Sequence, residues 1–221
     1  GIDVRYGREL GVDPKMVAAA GARIRDAVAQ ANAENGEVPL HETCLVVIGR
    51  GASDPDANGN VSKIARMLWE GMGFGFATVG YSGTAYPSVK ESMEFVDKLG
   101  FKRTYVIPFF FFTGILLERI YKAVEDFNET TTNKYISTKP FGKDELILKA
   151  FDERLDEAIN GTGNMNCQVC KYRKQIVGFE EEIGKEQIGH HLNVKGILFE
   201  EDEKVGAKKS ISKTLKNILG I

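Results

Sequence analysis

Residues 43–49, Thr43-Cys44-Leu45-Val46-Val47-Ile48-Gly49, decide the fold. An unbroken apolar, β-branched run of this length, closed by glycine, marks a strand buried on both faces, because a strand with one wet face would alternate. Such a strand needs helices above and below it. Downstream, 61–70 places Val61, Ile64, Ala65 and Leu68 at helical spacing, and 76–81 reads as a second strand. The stretch 87–99 reads as its helix, with Pro87 at the first helical position and Gly100 closing it. A third unit follows as strand 103–110 and helix 115–127, and a fourth as strand 134–137 and helix 144–159. Strands alternating with helices predict the α/β class, with a parallel, doubly wound, four-stranded sheet over residues 41–160. Residues 161–164 are a linker, and 161–221 form a cysteine-bearing tail that is rich in Glu and Lys from Glu200 onward.

Residues 1–40 read as a separate unit, and an internal comparison gives them meaning. An offset of 131 positions lays Gly11 on Gly142, Asp13 on Asp144, Ala19 on Ala150, Arg23 on Arg154 and Ala27 on Ala158. Met16, Val17, Ile24 and Val28 fall on Ile147, Leu148, Leu155 and Ile159. Two amphipathic helices share a period, so the apolar matches alone are weak. The glycine and aspartate in register lie outside the periodic part and make coincidence harder. The expectation is that 2–6 and 14–30 are the last strand and helix of an earlier, truncated lobe built like the one ending at Asn160.

The charge balance excludes one class of partner. Lys and Arg number 29 against 31 for Asp and Glu, giving a net charge of −2. No basic footprint for nucleic acid or an anionic membrane exists. The longest apolar run, 105–117, is interrupted by Pro108, Thr113 and Gly114 and is too short to span a bilayer. Three cysteines make no disulfide framework, so a reducing cytoplasm is the expected compartment.

Parallel sheets bind ligands at the carboxyl ends of their strands. Two loops there stand out. In Gly49-Arg50-Gly51-Ala52-Ser53-Asp54-Pro55 the glycines let backbone amides approach an anion that Arg50 could pair with. In 109–114, FFFFTG, a strand delivers aromatic side chains to a small-residue loop suited to a flat apolar ligand. The alternative is equally concrete: Arg50 and Asp54 form a turn with a local hydrogen bond, and the phenylalanines are core.

The segments RGASDPDAN, LWEGMGFGFATVGYSGTAYP, IPFFFFTGILLERI and MNCQVCKYR, in this order, resemble the carboxyl-terminal half of the long sirohydrochlorin cobaltochelatases, members of the class II chelatase family. The resemblance implies two similar α/β lobes facing each other across a tetrapyrrole, with Co2+ or Fe2+ as the metal inserted. It makes this chain a chelatase-like lobe whose partner is the amino-terminal lobe. It also carries a catalytic pattern that fails here. Arg50 stands where the active lobe has the histidine of an HGS-type loop, Gly83 stands where it has a glutamate before a proline (here Pro87), and Leu116 stands at the second histidine. Imidazole and carboxylate can bind such metals and take pyrrole protons, but these three residues can do neither. What remains is contact with the carboxylate-rich substrate through Arg50, Gly51, Ser53, Ser82, Thr113 and Gly114.

Cys167 and Cys170 form a CxxC pair with Lys171, Arg173 and Lys174 nearby, a setting that favours thiolate and a shared metal. The resembled family associates this MxCxxC motif with a 4Fe-4S cluster. Four ligands are usual and no second pair exists, so other ligands or a homodimer would have to complete it. The competing reading is a redox disulfide or an inert pair. Cys44, inside the first strand, is expected to pack rather than ligate. His190 and His191 read as a solvated loop or a metal-holding tail, and His41 as a surface residue. An alternative function from another class is a non-catalytic tetrapyrrole- or metal-binding protein with a redox-sensing CxxC tail.

Overall fold

A computed structural model of the chain describes residues 2–163, 172–173, 175, 178 and 180–185. The elements run α1 (Pro14–Asn35), β1 (Thr43–Gly49), α2 (Pro55–Met72), β2 (Phe76–Tyr81), α3 (Val89–Asp97), β3 (Arg103–Pro108), α4 (Ile115–Asn128), β4 (Lys134–Ser137) and α5 (Glu145–Asn160). The four strands form one sheet in the order β2-β1-β3-β4, with every neighbouring pair parallel. All seven residues of β1 are buried, as the unbroken apolar run requires. Its side chains alternate between two cores. Leu45 and Val47 join Tyr105, Ile107 and the α2 residues Ile64, Ala65 and Leu68. Cys44, Val46 and Ile48 join Met93 and Val96 of α3 and Ile120 and Val124 of α4. The sheet is therefore wound on both faces.

Local chemistry sets the helix ends. Asp54 caps α2 through Asp56 N at 3.1 Å, with Pro55 at the first position, and Gly73 closes the helix in the left-handed region. Ser88 and Glu91 form a capping box on α3. This moves the start of that helix: Pro87 precedes the cap rather than opening the helix, and Tyr81 N donates to its carbonyl, which prolongs β2 by one bridge to Ser88.

The amino-terminal region departs from the sequence reading in two ways. Residues 2–6 form no strand, and Ile2, Val4 and Tyr6 are exposed. The alternation that suggests a strand there meets a helix instead of a sheet edge. Arg5 Nη1 donates to Ile159 O at 2.7 Å, and Arg8 bonds Glu157 through its backbone N and its guanidinium. Nor does α1 stand apart from residues 41–160. Met16, Ala19, Ala20, Ile24 and Ala31 are buried in the first core, and α1 packs on β3, β4 and α2. It occupies the sheet face beside α2. The helix that follows β4, α5, packs instead chiefly on α1.

Candidate functional site

Because every strand is parallel, the loops after β1, β2, β3 and β4 gather at one end of the sheet. The strand order places β1 beside β3, so the chain leaves this pair in opposite directions, a switch point where such sheets open a crevice.

Arg50 begins the loop after β1 and is exposed. Gly51 has φ +86°, and a Cβ there would lie 2.9 Å from Ala85 N, so the position demands glycine for both backbone and space. Ser53 is 7% exposed, and its side chain lies within the loop rather than on the surface. Two residues not singled out from the sequence hold this loop. The Asn58 amide accepts from Ala52 N at 2.9 Å and donates to Ala52 O at 2.8 Å, and Tyr81 Oη donates to Asn58 O at 3.0 Å. Asparagine is a poor helix former, and its presence one turn into α2 was the available signal.

The loop after β2 backs onto the first. Ser82 N donates to Gly49 O at 3.0 Å, while the Ser82 Oγ is buried and finds no hydrogen-bond partner among the described residues. A Cβ on Gly83 would stand 2.5 Å from the Arg50 carbonyl oxygen. A side chain at Gly83 must therefore displace backbone. Gly83→Ala is expected to cost about 1–3 kcal/mol through overpacking, read as a lower urea midpoint. An unchanged midpoint would mean that this loop yields freely and that the position is open to a glutamate.

The phenylalanines divide. Phe109 and Phe111 pack on the first core and Phe110 on the second, while Phe112 is 70% exposed. Phe141, from the loop after β4, meets Phe109 edge-on with centroids 4.9 Å apart. Phe141 N and Gly142 N donate to the carbonyls of Phe110 and Phe111. Thr113 and Gly114 are exposed at the uncapped start of α4. Phe109 and Phe111 border an open apolar cleft of about 280 Å³. Leu10, Met16, Val61, Ile64, Phe109 and Phe111 line it, with Glu9 at its edge. Burial, then the charges of Asp54 and Glu9, raise the Asp56 carboxyl above its ordinary value, the mark of three carboxyl groups held close together.

Among the described residues no group of three His, Cys, Asp or Glu is placed to hold a metal ion. Cys44 is fully buried, and burial pushes its thiol up to about 12. It is a packing residue. Cys167, Cys170, His190 and His191 lie outside the described residues.

The fold and loops define a doubly wound α/β lobe, with an apolar cleft and a cation-bearing loop at the carboxyl ends of its strands. The chain belongs to the CbiX family, whose model matches residues 44–158. It is 33% identical over 187 residues to the sirohydrochlorin cobaltochelatase of Priestia megaterium, a match that covers 84% of this chain and 57% of that protein. The structure resembles SirB from Bacillus subtilis with Fe3+, at 29% identity and a TM-score of 0.59, covering 72% of this chain and 59% of that one. It also resembles the sirohydrochlorin chelatase SirB from Bacillus subtilis subspecies spizizenii in complex with cobalt, at 25% identity and a TM-score of 0.53, covering 75% and 58%. The chain thus spans less than two thirds of the length of these relatives.

Proposed function

We infer that the complete protein inserts Co2+, or alternatively Fe2+, into sirohydrochlorin, with this chain supplying the lobe that holds the macrocycle without ligating the incoming metal. The observation that carries the reading is the 33% identity to a sirohydrochlorin cobaltochelatase over 84% of the chain. Likeness to SirB structures holding Fe3+ and cobalt supports the choice of metals.

Insertion needs ligands for the arriving ion and acceptors for two pyrrole protons. A guanidinium offers no lone pair, and the side-chain positions of Gly83 and Leu116 offer no donor or acceptor. The chemistry of this lobe is therefore recognition. Arg50 presents a charged fork to a peripheral carboxylate, on a loop fixed by the Asn58 clamp. The amides of Gly51 and Ser53, the hydroxyl of Thr113 and the backbone of Gly114 are assigned to the same periphery, whereas the Ser82 hydroxyl, named from the sequence for the same role, is buried and faces away from any ligand. Phe109 and Phe111 offer apolar surface to one edge of the flat ring, since a cleft of about 280 Å³ takes part of a tetrapyrrole and not the whole.

Cys167 and Cys170 are assigned as a metal-binding pair for an iron–sulfur cluster in a reducing cytoplasm. Among the described residues no further thiolate is available to such a cluster, since Cys44 is sealed in β1. No step of the reaction is routed through a cluster.

In the complete two-lobed protein, Arg50→Ala is expected to weaken sirohydrochlorin binding by about 10- to 100-fold, the worth of one charge-assisted contact. Titration of the tetrapyrrole spectrum without metal reads this directly. Unchanged affinity overturns the assignment of Arg50, and metal insertion catalysed by the 221-residue chain alone overturns the recognition role of the lobe.

A further inference from the structure

Asparagine is followed by glycine at three places, Asn35-Gly36, Asn58-Gly59 and Asn160-Gly161. In such a pair the glycine backbone nitrogen can attack the side-chain amide carbon of the asparagine, because no Cβ hinders its approach. The attack needs a glycine N–H that no acceptor holds and an amide oxygen that can take up negative charge. The fold supplies these unequally.

Asn58 lies in α2 with its side chain closed on Ala52 by bonds in both directions, at 2.9 and 2.8 Å. Gly59, one residue on, belongs to the hydrogen-bond ladder of the same helix. This pair reacts only by dismantling the loop after β1. Asn160 ends α5 and is exposed, but the Gly161 N–H donates to Glu157 O. Thr162 N and Gly163 N approach the same carbonyl at 3.0 and 3.2 Å, which pins that end of the helix.

Asn35 ends α1 differently. Gly36 has φ +80° and ψ 159°, an open exit rather than a closing turn, and its N–H finds no acceptor among the described residues. A Cβ on Gly36 would meet nothing within 4 Å, and both residues of the pair are exposed. The Asn35 side chain is also electronically prepared. Its Nδ2 donates to Ala31 O at 3.2 Å, and its Oδ1 accepts from Lys134 Nζ of β4. That ammonium draws density from the amide carbon and stabilises the oxyanion that attack creates. The last turn of a helix, whose carbonyls lack donors, is where local opening is easiest.

We propose that Asn35 is the site at which this chain deamidates, with Lys134 as the group that polarises the amide. The bond from Gly36 N to Asn35 Cγ forms, and the amide proton passes through water to the departing nitrogen. The Cγ–Nδ2 bond breaks, ammonia leaves and a five-membered succinimide remains. Water then opens the ring at either carbonyl, giving aspartate or isoaspartate. Isoaspartate routes the main chain through the former side chain and so lengthens it between α1 and β1. That shifts the Gly36 carbonyl, which accepts from Arg103 Nη2 at 3.1 Å. The modification therefore loosens the joint that fastens the end of α1.

The test holds the complete protein in mildly alkaline buffer and follows the masses of its tryptic peptides over days. Asn35, Asn58 and Asn160 fall in separate peptides, 26–50, 51–63 and 155–171. Conversion at Asn35 is expected to run about tenfold faster than at either other site, as local opening at one helix end alone would give. In guanidinium chloride the three rates should converge to within about threefold, because the fold no longer distinguishes them. Lys134→Gln should slow Asn35 by about three- to fivefold in the folded protein, the worth of an exposed charged contact, and leave it unchanged in denaturant. Equal conversion at the three sites of the folded protein overturns the proposal, as does faster conversion at Asn58 or Asn160. A lead for Asn35 that persists in denaturant also overturns it, since sequence rather than structure would then be the cause. An unchanged rate in Lys134→Gln overturns the role of the ammonium. Fragmentation of peptide 26–50 should locate isoaspartate at position 35, and aspartate without isoaspartate overturns the succinimide route.

Discussion

Arg154→Ala is expected to destabilise the chain by about 3 kcal/mol, the low end for a broken buried pair, because the Asp13 carboxylate loses its nearest cation and keeps only Lys15 Nζ at 3.8 Å. The side chains of Arg154 and Asp13 are 10% and 7% exposed and meet at 2.7 Å. Arg154 also donates to Glu157 Oε1 at 3.0 Å and to Glu9 O at 3.3 Å, so its loss slackens the segment ahead of α1 as well as the cap. Asp13→Asn is the informative companion. It keeps an oxygen to accept from Lys15 N, so the cap survives, and Arg154 retains Glu157. Its loss should be smaller than that of Arg154→Ala. Urea midpoints of the two single variants and the double variant would measure the coupling. Additive losses would show that the pair contributes nothing beyond its separate contacts.

The same contacts set a pH dependence. Burial acts to raise the Asp13 carboxyl, but hydrogen bonds from Lys15 N and the Arg154 side chain outweigh it and hold the group below its ordinary value. The Arg8 side chain and backbone bring Glu157 down to about 2. Folded values that lie below the unfolded ones, near 4, mean stability that is fully present above about pH 4. It is lost as pH falls through the folded values. The urea midpoint should therefore drop between about pH 4 and pH 2, and Arg154→Ala should flatten that drop.

Features set by a few adjacent residues were legible in the sequence. The run 43–49 named a strand buried on both faces, and 134–137 gave β4 to the residue. The carboxyl-end loops followed from parallel order alone. Features that depend on what a segment meets were not legible. Residues 2–6 alternate like a strand, yet a strand exists only where a neighbour offers a ladder, and these residues meet α5. The offset of 131 could pair α1 with α5 as sequences, but that α1 covers the sheet while α5 leaves Leu148, Leu155 and Ile159 exposed is decided by packing across more than a hundred residues. The loop residues Arg50 and Gly51 were visible as a glycine-flanked cation. Asn58, which fixes them, reads as an ordinary polar helix residue until its two bonds to Ala52 are seen.

Arg103→Ala is expected to cost about 2–4 kcal/mol, through acceptors left unpaired and a void at the start of β3. Arg103 is 3% exposed, and its partners are neutral: Asn32 Oδ1 at 2.6 Å, Gly36 O at 3.1 Å and Tyr105 Oη at 3.3 Å. Asn32 lies in the last turn of α1, and Gly36 is the residue that closes it. A cation at a helix carboxyl terminus meets carbonyls that lack intrahelical donors, which is how a buried guanidinium persists here without a carboxylate. Arg103→Lys should recover part of the loss, because one ammonium cannot span both acceptors as the planar fork does. Arg103→Met fills the space without the charge and separates packing from hydrogen bonding. If Met matches the wild-type midpoint, volume alone was needed. If Met falls with Ala, the fork fastens the end of α1. Amide exchange in the last turn of α1 should then quicken in both variants, loosening the helix that covers this sheet while leaving the loops around Arg50 in place.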